Sequence, residues 1–186
     1  MNAYELPTSL CVGGVEYSIR SDFRAVLDVL VSANDPELDQ EMKAWVMLQI
    51  MFPDLEQIPE EHLSEACTKV CEFIDCGQKD DGKPKPRLLD WEQDGSMIVP
   101  AVNNVAHTEI RALPYLHWWT FWGYFMQIGE SLMSSVISIR QKKAKHEKLE
   151  KWEEKFYKEN RDLIDLKTTQ TEEIQQEKDS LLKWLD

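Results

Sequence analysis

The chain has 186 residues, enough for one domain with an appendage, and 42% of them are hydrophobic, enough for a real core. Its formal net charge of -13 and pI near 4.8 argue against a phosphate-binding surface, and hence against nucleic acid as the main partner. The charge is uneven: residues 140–186 carry 12 Lys/Arg and 12 Asp/Glu, so all of the net negative charge belongs to residues 1–139.

The first residues, MNAYELPTSL, have neither the basic nor the apolar region of an export signal. Residues 10–19, LCVGGVEYSI, read as a small β-hairpin, with Gly13 and Gly14 supplying the positive φ angles of a two-residue turn. Two strands are marginal alone, so this hairpin must pack on something. A helix follows, capped by Ser21 or Asp22, with Phe23, Val26, Leu27 and Leu30 at helical spacing. Asn34, Asp35 and Pro36 break it and start a second helix, which carries Met42, Trp45, Val46, Leu48, Ile50 and Met51 and ends at Phe52 and Pro53. A third helix is predicted over 59–76, with Ala66, Val70, Phe73 and Ile74 on its buried side and Gly77 as its stop.

Residues 77–87, GQKDDGKPKPR, contain no apolar side chain and read as a loop. A further helix is predicted from Asp90, although Gly95 and Pro100 weigh against it. Next comes the densest feature of the chain: seven of the eleven residues 115–125 are aromatic, and this block reads as a helix running from Pro114 to about Ile128. It is too short and too closely bounded by polar residues to span a bilayer, which needs about 18 or more apolar residues. Acidic neighbours disfavour base stacking. A core helix and a helix partly covered by a partner both remain open, since aromatics concentrate where partners dock.

Residues 131–145 give another helix, turning basic at its end. Residues 146–165 are charged and helical in pattern, with a thin apolar stripe of Leu149, Trp152, Phe156 and Leu163. Residues 167–180 have little to bury and are expected to be loose, tethering a small terminal anchor, LLKWLD. The predicted architecture is mainly α: a compact multi-helix domain over 1–139 with an N-terminal hairpin, followed by a charged helical arm and loose tail over 140–186. Residues 1–139 are expected to fold without the arm.

Candidate chemistry is sparse. Cys67 and Cys71 share a helix face, but the spacing of a structural zinc site is absent, and the four cysteines read as reduced core thiols. His117 reads as a packed histidine donating one hydrogen bond. Asp90 and Asp94 lie one helical turn apart, but a helix cap explains Asp90 more cheaply than acid–base catalysis does. There is no phosphate loop or nucleophile motif, so no enzymatic activity and no cofactor are expected. Residues 140–158 carry a net +4, from eight basic and four acidic residues, and are weighed as a nucleic-acid surface against a solvated amphipathic helix; the latter is favoured.

The strings LHWWTFWGYFMQIGE and ISIRQKKAKHEKLEKWEEKFYKEN resemble the bacteriophage "gene product fifteen" family of long-tailed phages and prophages of Gram-positive bacteria. LPTSLCVGGVEYSIRSDFRAVL, MFPDLEQIP, CEFIDCG and RLLDWEQDGSMIVPAVN extend the resemblance from Leu6 to about Leu166. The resemblance implies a role in tail morphogenesis: a tail assembly chaperone that binds the tape measure protein, with other tail assembly proteins, in the host cytoplasm and is absent from the mature virion. It implies no enzymatic site. A structural tail component retained in the virion and a nucleic-acid-binding regulator using 140–158 are the alternatives. The partner-binding residues expected from the aromatic and basic segments are Trp118, Trp119, Phe121, Trp122, Phe125, Arg140, Lys142, Lys143, Trp152 and Phe156.

Overall fold

The computed structural model describes residues 4–78 and 86–167, so the expected tail over 168–186 and most of the loop over 77–87 lie outside the described residues. Strand β1 (Ser9–Val12) pairs antiparallel with β2 (Val15–Ser18), in the register Leu10 to Tyr17 and Val12 to Val15. Gly13 and Gly14 take φ of +58° and +80°, as a tight hairpin turn requires. A side chain at Gly13 would meet the His62 ring at 2.6 Å, so this glycine also permits the close approach of the turn to its neighbour. The hairpin packs as expected: Leu10 and Val12 are buried, and the Gly13 N–H donates to Glu65 Oε2 at 3.0 Å.

Helix α1 (Phe23–Ala33) is capped by Asp22, whose carboxylate accepts from the Arg24 N–H, and buries Phe23, Val26 and Val29. The other Asp22 oxygen accepts from the Leu116 N–H at 3.0 Å, while the Arg24 guanidinium donates to the Leu113 carbonyl at 2.8 Å. Helix α2 (Gln40–Met51) begins at the Asp39 cap, three residues after the predicted Pro36, because residues 36–38 form a separate turn. Only its C-terminal half reaches the core, through Leu48 and Met51.

The third predicted helix is two elements. A 3-10 turn over Glu60–His62 precedes α3 (Leu63–Ile74), which buries Ala66, Val70 and Phe73. At its end the Gly77 N–H reaches the Glu72 carbonyl and the Cys76 N–H the Phe73 carbonyl, at 2.9 and 3.0 Å. This is the double hydrogen bond of a Schellman stop, with Cys76 rather than glycine at φ +53°.

Helix α4 (Gly95–Ala106) starts later than predicted. Asp90 instead turns the chain by accepting from the N–H groups of Glu92 and Gln93. Pro100 lies within α4, where it removes the donor for the carbonyl of Ser96 without ending the helix. The aromatic helix α5 (Trp118–Met126) begins at the His117 cap; residues ahead of it run extended alongside the start of α1. The Phe23 N–H donates to the Leu116 carbonyl and the Trp118 N–H to the Ser21 carbonyl.

Helix α6 (Leu132–Ala144) opens with a Ser131–Ser134 capping box and runs through the expected boundary at 139/140. Two short helices, α7 (Lys151–Glu159) and α8 (Arg161–Ile164), follow a non-helical stretch over 146–150. Their polar sequence nevertheless places Ile164 fully inside the same core as Val136 and Ile139. The protein is therefore mainly α with one small hairpin.

Candidate partner-binding groove

The aromatic helix is a wall of the core. Trp118 and Phe121 are each 1% exposed, which corrects their expected placement on a partner-binding surface. Trp118 Nε1 donates to the Ile74 carbonyl at 2.8 Å and Trp119 Nε1 to the Phe73 carbonyl at 2.9 Å. Two adjacent indoles thus serve carbonyls at the end of α3, that of Ile74 beyond the reach of any helical N–H and that of Phe73 in addition to the Cys76 N–H. Phe121 stacks on Phe23 with centroids 4.8 Å apart, and Trp91 inserts against Phe125 at 5.2 Å. Trp119, Trp122 and Phe125 are half-buried and packed against the core.

His117 behaves as its sequence context suggests. Nδ1 accepts from the Trp119 N–H at 3.0 Å, which makes Nε2 the protonated nitrogen, and Nε2–H donates to the Pro7 carbonyl at 3.0 Å. Burial pushes its pKa below the ordinary histidine value, partly offset by the hydrogen bond to Pro7.

Three cations of the basic segment are consumed within the molecule, while Lys145 and Lys148 stay exposed. Arg140, 6% exposed, makes a two-pronged ion pair with fully buried Asp94, at 2.6 and 2.9 Å. Its remaining N–H groups donate to the carbonyls of Leu88, Leu163 and Ile164. Arg140 is therefore an internal clasp, and its expected role as a surface cation is corrected.

Lys142 Nζ donates to both oxygens of Glu153, at 2.7 and 2.8 Å, and Glu153 is only 1% exposed. Burial pushes the Glu153 carboxyl up, but Lys142 and the Glu150 N–H outweigh it and hold it below the usual range. Lys143 pairs with Asp165 and lies 3.9 Å from the centre of the Tyr157 ring. Phe156 is half-buried, whereas Trp152 is exposed. The predicted stripe fails at Trp152 because α7 starts only at Lys151, and the inward position one residue on is held by Glu153 against Lys142.

The cysteines also differ from expectation. Cys11 and Cys71 are exposed, while Cys67 and Cys76 are half-buried, Cys76 with its thiol pushed up to about 12 by burial and by Asp75. No cluster of three or more His, Cys, Asp or Glu among the described residues could hold a metal ion. No helix among them is long and apolar enough to cross a membrane.

Open apolar surface lies on α2 instead. Trp45 is 48% exposed, and Met42, one turn earlier, is exposed with it. Trp45 walls a groove of about 660 Å³ whose floor and sides include Phe52, Pro53, Leu55, Ile58 and Leu63, with Gln49, Glu56 and Glu60 also lining it. On the other side of Trp45, Asp39, Glu41, Met42 and Val46 frame a hollow of about 240 Å³. No Lys or Arg lines either space. Among the described residues Glu41, Glu56 and Glu60 have no ion-pair partner.

Sequence reasoning missed this site because Trp45 and Met42 sit in an ordinary helical pattern. The available signal was that α2 is apolar on more than one side while its flanks, Asp39, Glu41, Glu56 and Glu60, are acidic. A smaller cleft of about 280 Å³ lies between α4 and the start of α6, bordered by Pro100, Ile128 and exposed Leu132.

A family model for the bacteriophage Gp15 protein matches residues 3–166. The chain belongs to the bacteriophage Gp15 family. The matched region takes in the hairpin, the α2 groove, the aromatic helix and the Arg140 clasp, so each is part of the Gp15-like body. No curated protein and no solved structure matches the chain.

Proposed function

We propose that this chain is a tail assembly chaperone that binds the phage tape measure protein in the host cytoplasm and leaves before the virion matures. A tape measure protein is a very long helical chain with apolar stripes, and those stripes need cover until the tail tube surrounds them. The observation that carries the reading is the groove beside Trp45: apolar, open, and rimmed by unpaired carboxylates. Such a surface covers an apolar stripe while the net charge of -13 keeps the complex dispersed. Seven Met and seven Trp suit an adaptable surface. Capture and release need no catalytic group, and the reading assigns none.

Lys142 and Lys143 contribute to capture only indirectly in this reading, by holding α7 and α8 on the body. The same pairing takes Arg140, Lys142 and Lys143 out of phosphate contact, and the exposed lysines that remain, such as Lys145 and Lys148, sit in a chain of net charge -13, which disfavours a nucleic-acid regulator. Co-expression with the tape measure protein from the same phage tests the proposal. The chaperone keeps the tape measure protein in the soluble fraction and is absent from purified particles. A stoichiometric band in those particles favours a retained tail component.

A further inference from the structure

The rim of the α2 groove restricts what it accepts. Its apolar lining offers no buried polar group to read a small polar ligand. Its charged residues are all of one sign: Glu56 and Glu60 on the groove itself, Asp39 and Glu41 beyond Trp45. Asp39 spends one oxygen capping α2, but Glu41, Glu56 and Glu60 face solvent without a cation among the described residues.

An apolar groove with an acidic rim is complementary to an amphipathic helix whose apolar ridge is flanked by Lys or Arg. Anionic lipid and nucleic acid carry the wrong charge. A second copy of the chain is a poorer fit among its described residues: Arg140, Lys142 and Lys143 are paired internally, and the exposed lysines of α7 flank a helix whose Phe156 side is already packed on its own body.

We propose that the groove between Trp45 and Leu63 docks a basic amphipathic helix of a partner protein, with apolar anchors against Trp45 and Phe52 and cationic flanks on Glu56 and Glu60. This rests on the reading of the chain as a capture protein and names the client segment it selects.

The test uses the full chain and a fluorescein-labelled helical peptide with leucines along one face and lysines at both edges. Three companion peptides serve: one with glutamates in place of the lysines, one with the same composition scrambled so that no apolar face forms, and an unlabelled competitor. Fluorescence anisotropy at physiological salt shows binding of the lysine peptide and at least about tenfold weaker binding of the scrambled and glutamate peptides. The paired substitution Glu56→Lys and Glu60→Lys reverses the preference, and the gained binding of the glutamate peptide shows that the variant is folded. Trp45→Ala weakens both.

Equal binding of the ordered and scrambled peptides overturns the proposal, as does a charge variant with unchanged preference. A chain that is dimeric, and becomes monomeric on Trp45→Ala, makes the groove a self-interface and overturns it too. The outcome separates from the chaperone reading. If the chain selects the lysine peptide but fails to keep the tape measure protein soluble, the chaperone reading falls alone. If it keeps that protein soluble and the groove variants do so equally well, the groove proposal falls alone.

Discussion

Arg140 and Asp94 clasp each other inside the protein, Nη1 standing 2.6 Å from Oδ2 and Nη2 2.9 Å from Oδ1. Forty-six residues apart in sequence, they tie α6 to the start of α4. Through the carbonyls of Leu163 and Ile164, the same guanidinium holds the end of α8. Buried pairs of this kind contribute modestly relative to an apolar replacement, but losing one partner is expensive. Arg140→Ala should destabilise the protein by about 3–5 kcal/mol, because Asp94 is left charged without its partner. Arg140→Lys should recover little, since an ammonium cannot span both oxygens and the carbonyls together. Urea unfolding of the variants checks both, and a loss below about 1 kcal/mol for Arg140→Ala would show that Asp94 finds another partner.

The clasp bears on truncation. Removing everything after Ser138 deletes Ile139, Arg140 and Ile164, all buried, and strands Asp94. The fragment should lose its cooperative melting transition, as calorimetry would read directly. A sharp transition near that of the full chain would mean that 1–138 fold alone.

The indoles at the end of α3 make a second test. Trp118→Phe keeps most of the buried ring but removes the N–H that serves the Ile74 carbonyl. That carbonyl keeps only the weak Cys76 thiol donor at 3.8 Å, a loss of about 1 kcal/mol or more, so the melting point should fall while the helix content stays unchanged. Trp45→Ala, at an exposed position, should alter the melting point far less. Equal losses in the two variants would mean that Trp45 belongs to the core.

His117 carries a pH dependence. Its pKa is depressed in the fold, so the unfolded chain takes up the proton first, near pH 6.5. The stability it contributes is complete above that pH and is lost as pH falls through the folded value. Proton-detected NMR of the imidazoles should find His117 protonating below 6.5, with Nε2 carrying the hydrogen in the neutral ring. A titration above that value contradicts the burial of the ring beside Phe73 and Trp119.

His107 ends α4 at φ +52°, in the left-handed region, with its side chain exposed. His107→Gly should stabilise the chain by about 1 kcal/mol by relieving that conformation. A neutral or negative change would show that the imidazole makes a compensating contact.

Local rules were enough for much of this fold. Gly13 and Gly14, the Asp22 cap and the buried face of Ala66, Val70 and Phe73 follow from turn chemistry and helical period. Two kinds of feature do not. One is pairing at a distance: nothing in RQKKAK marks Arg140 as the member that goes inside, because its partner Asp94 and its acceptor carbonyls come from three other segments. The other is which apolar face stays open. Density of aromatics pointed to 115–125, but that density serves internal closure, with Trp91, Phe23 and the end of α3 covering it. The sparser pair Met42 and Trp45 is left uncovered because the fully buried residues of α2, Leu48 and Met51, lie in its later turns.

The most direct test places a photo-crosslinking amino acid at Gln49, within the groove, and separately at exposed Trp152, in chains co-expressed with the tape measure protein. Mass spectrometry then identifies the adducts. The account predicts adducts from position 49, mapping to Lys- or Arg-flanked apolar helices of the tape measure protein, and few from position 152. Adducts from position 152 with none from position 49, or no adduct with the tape measure protein from either, would contradict it.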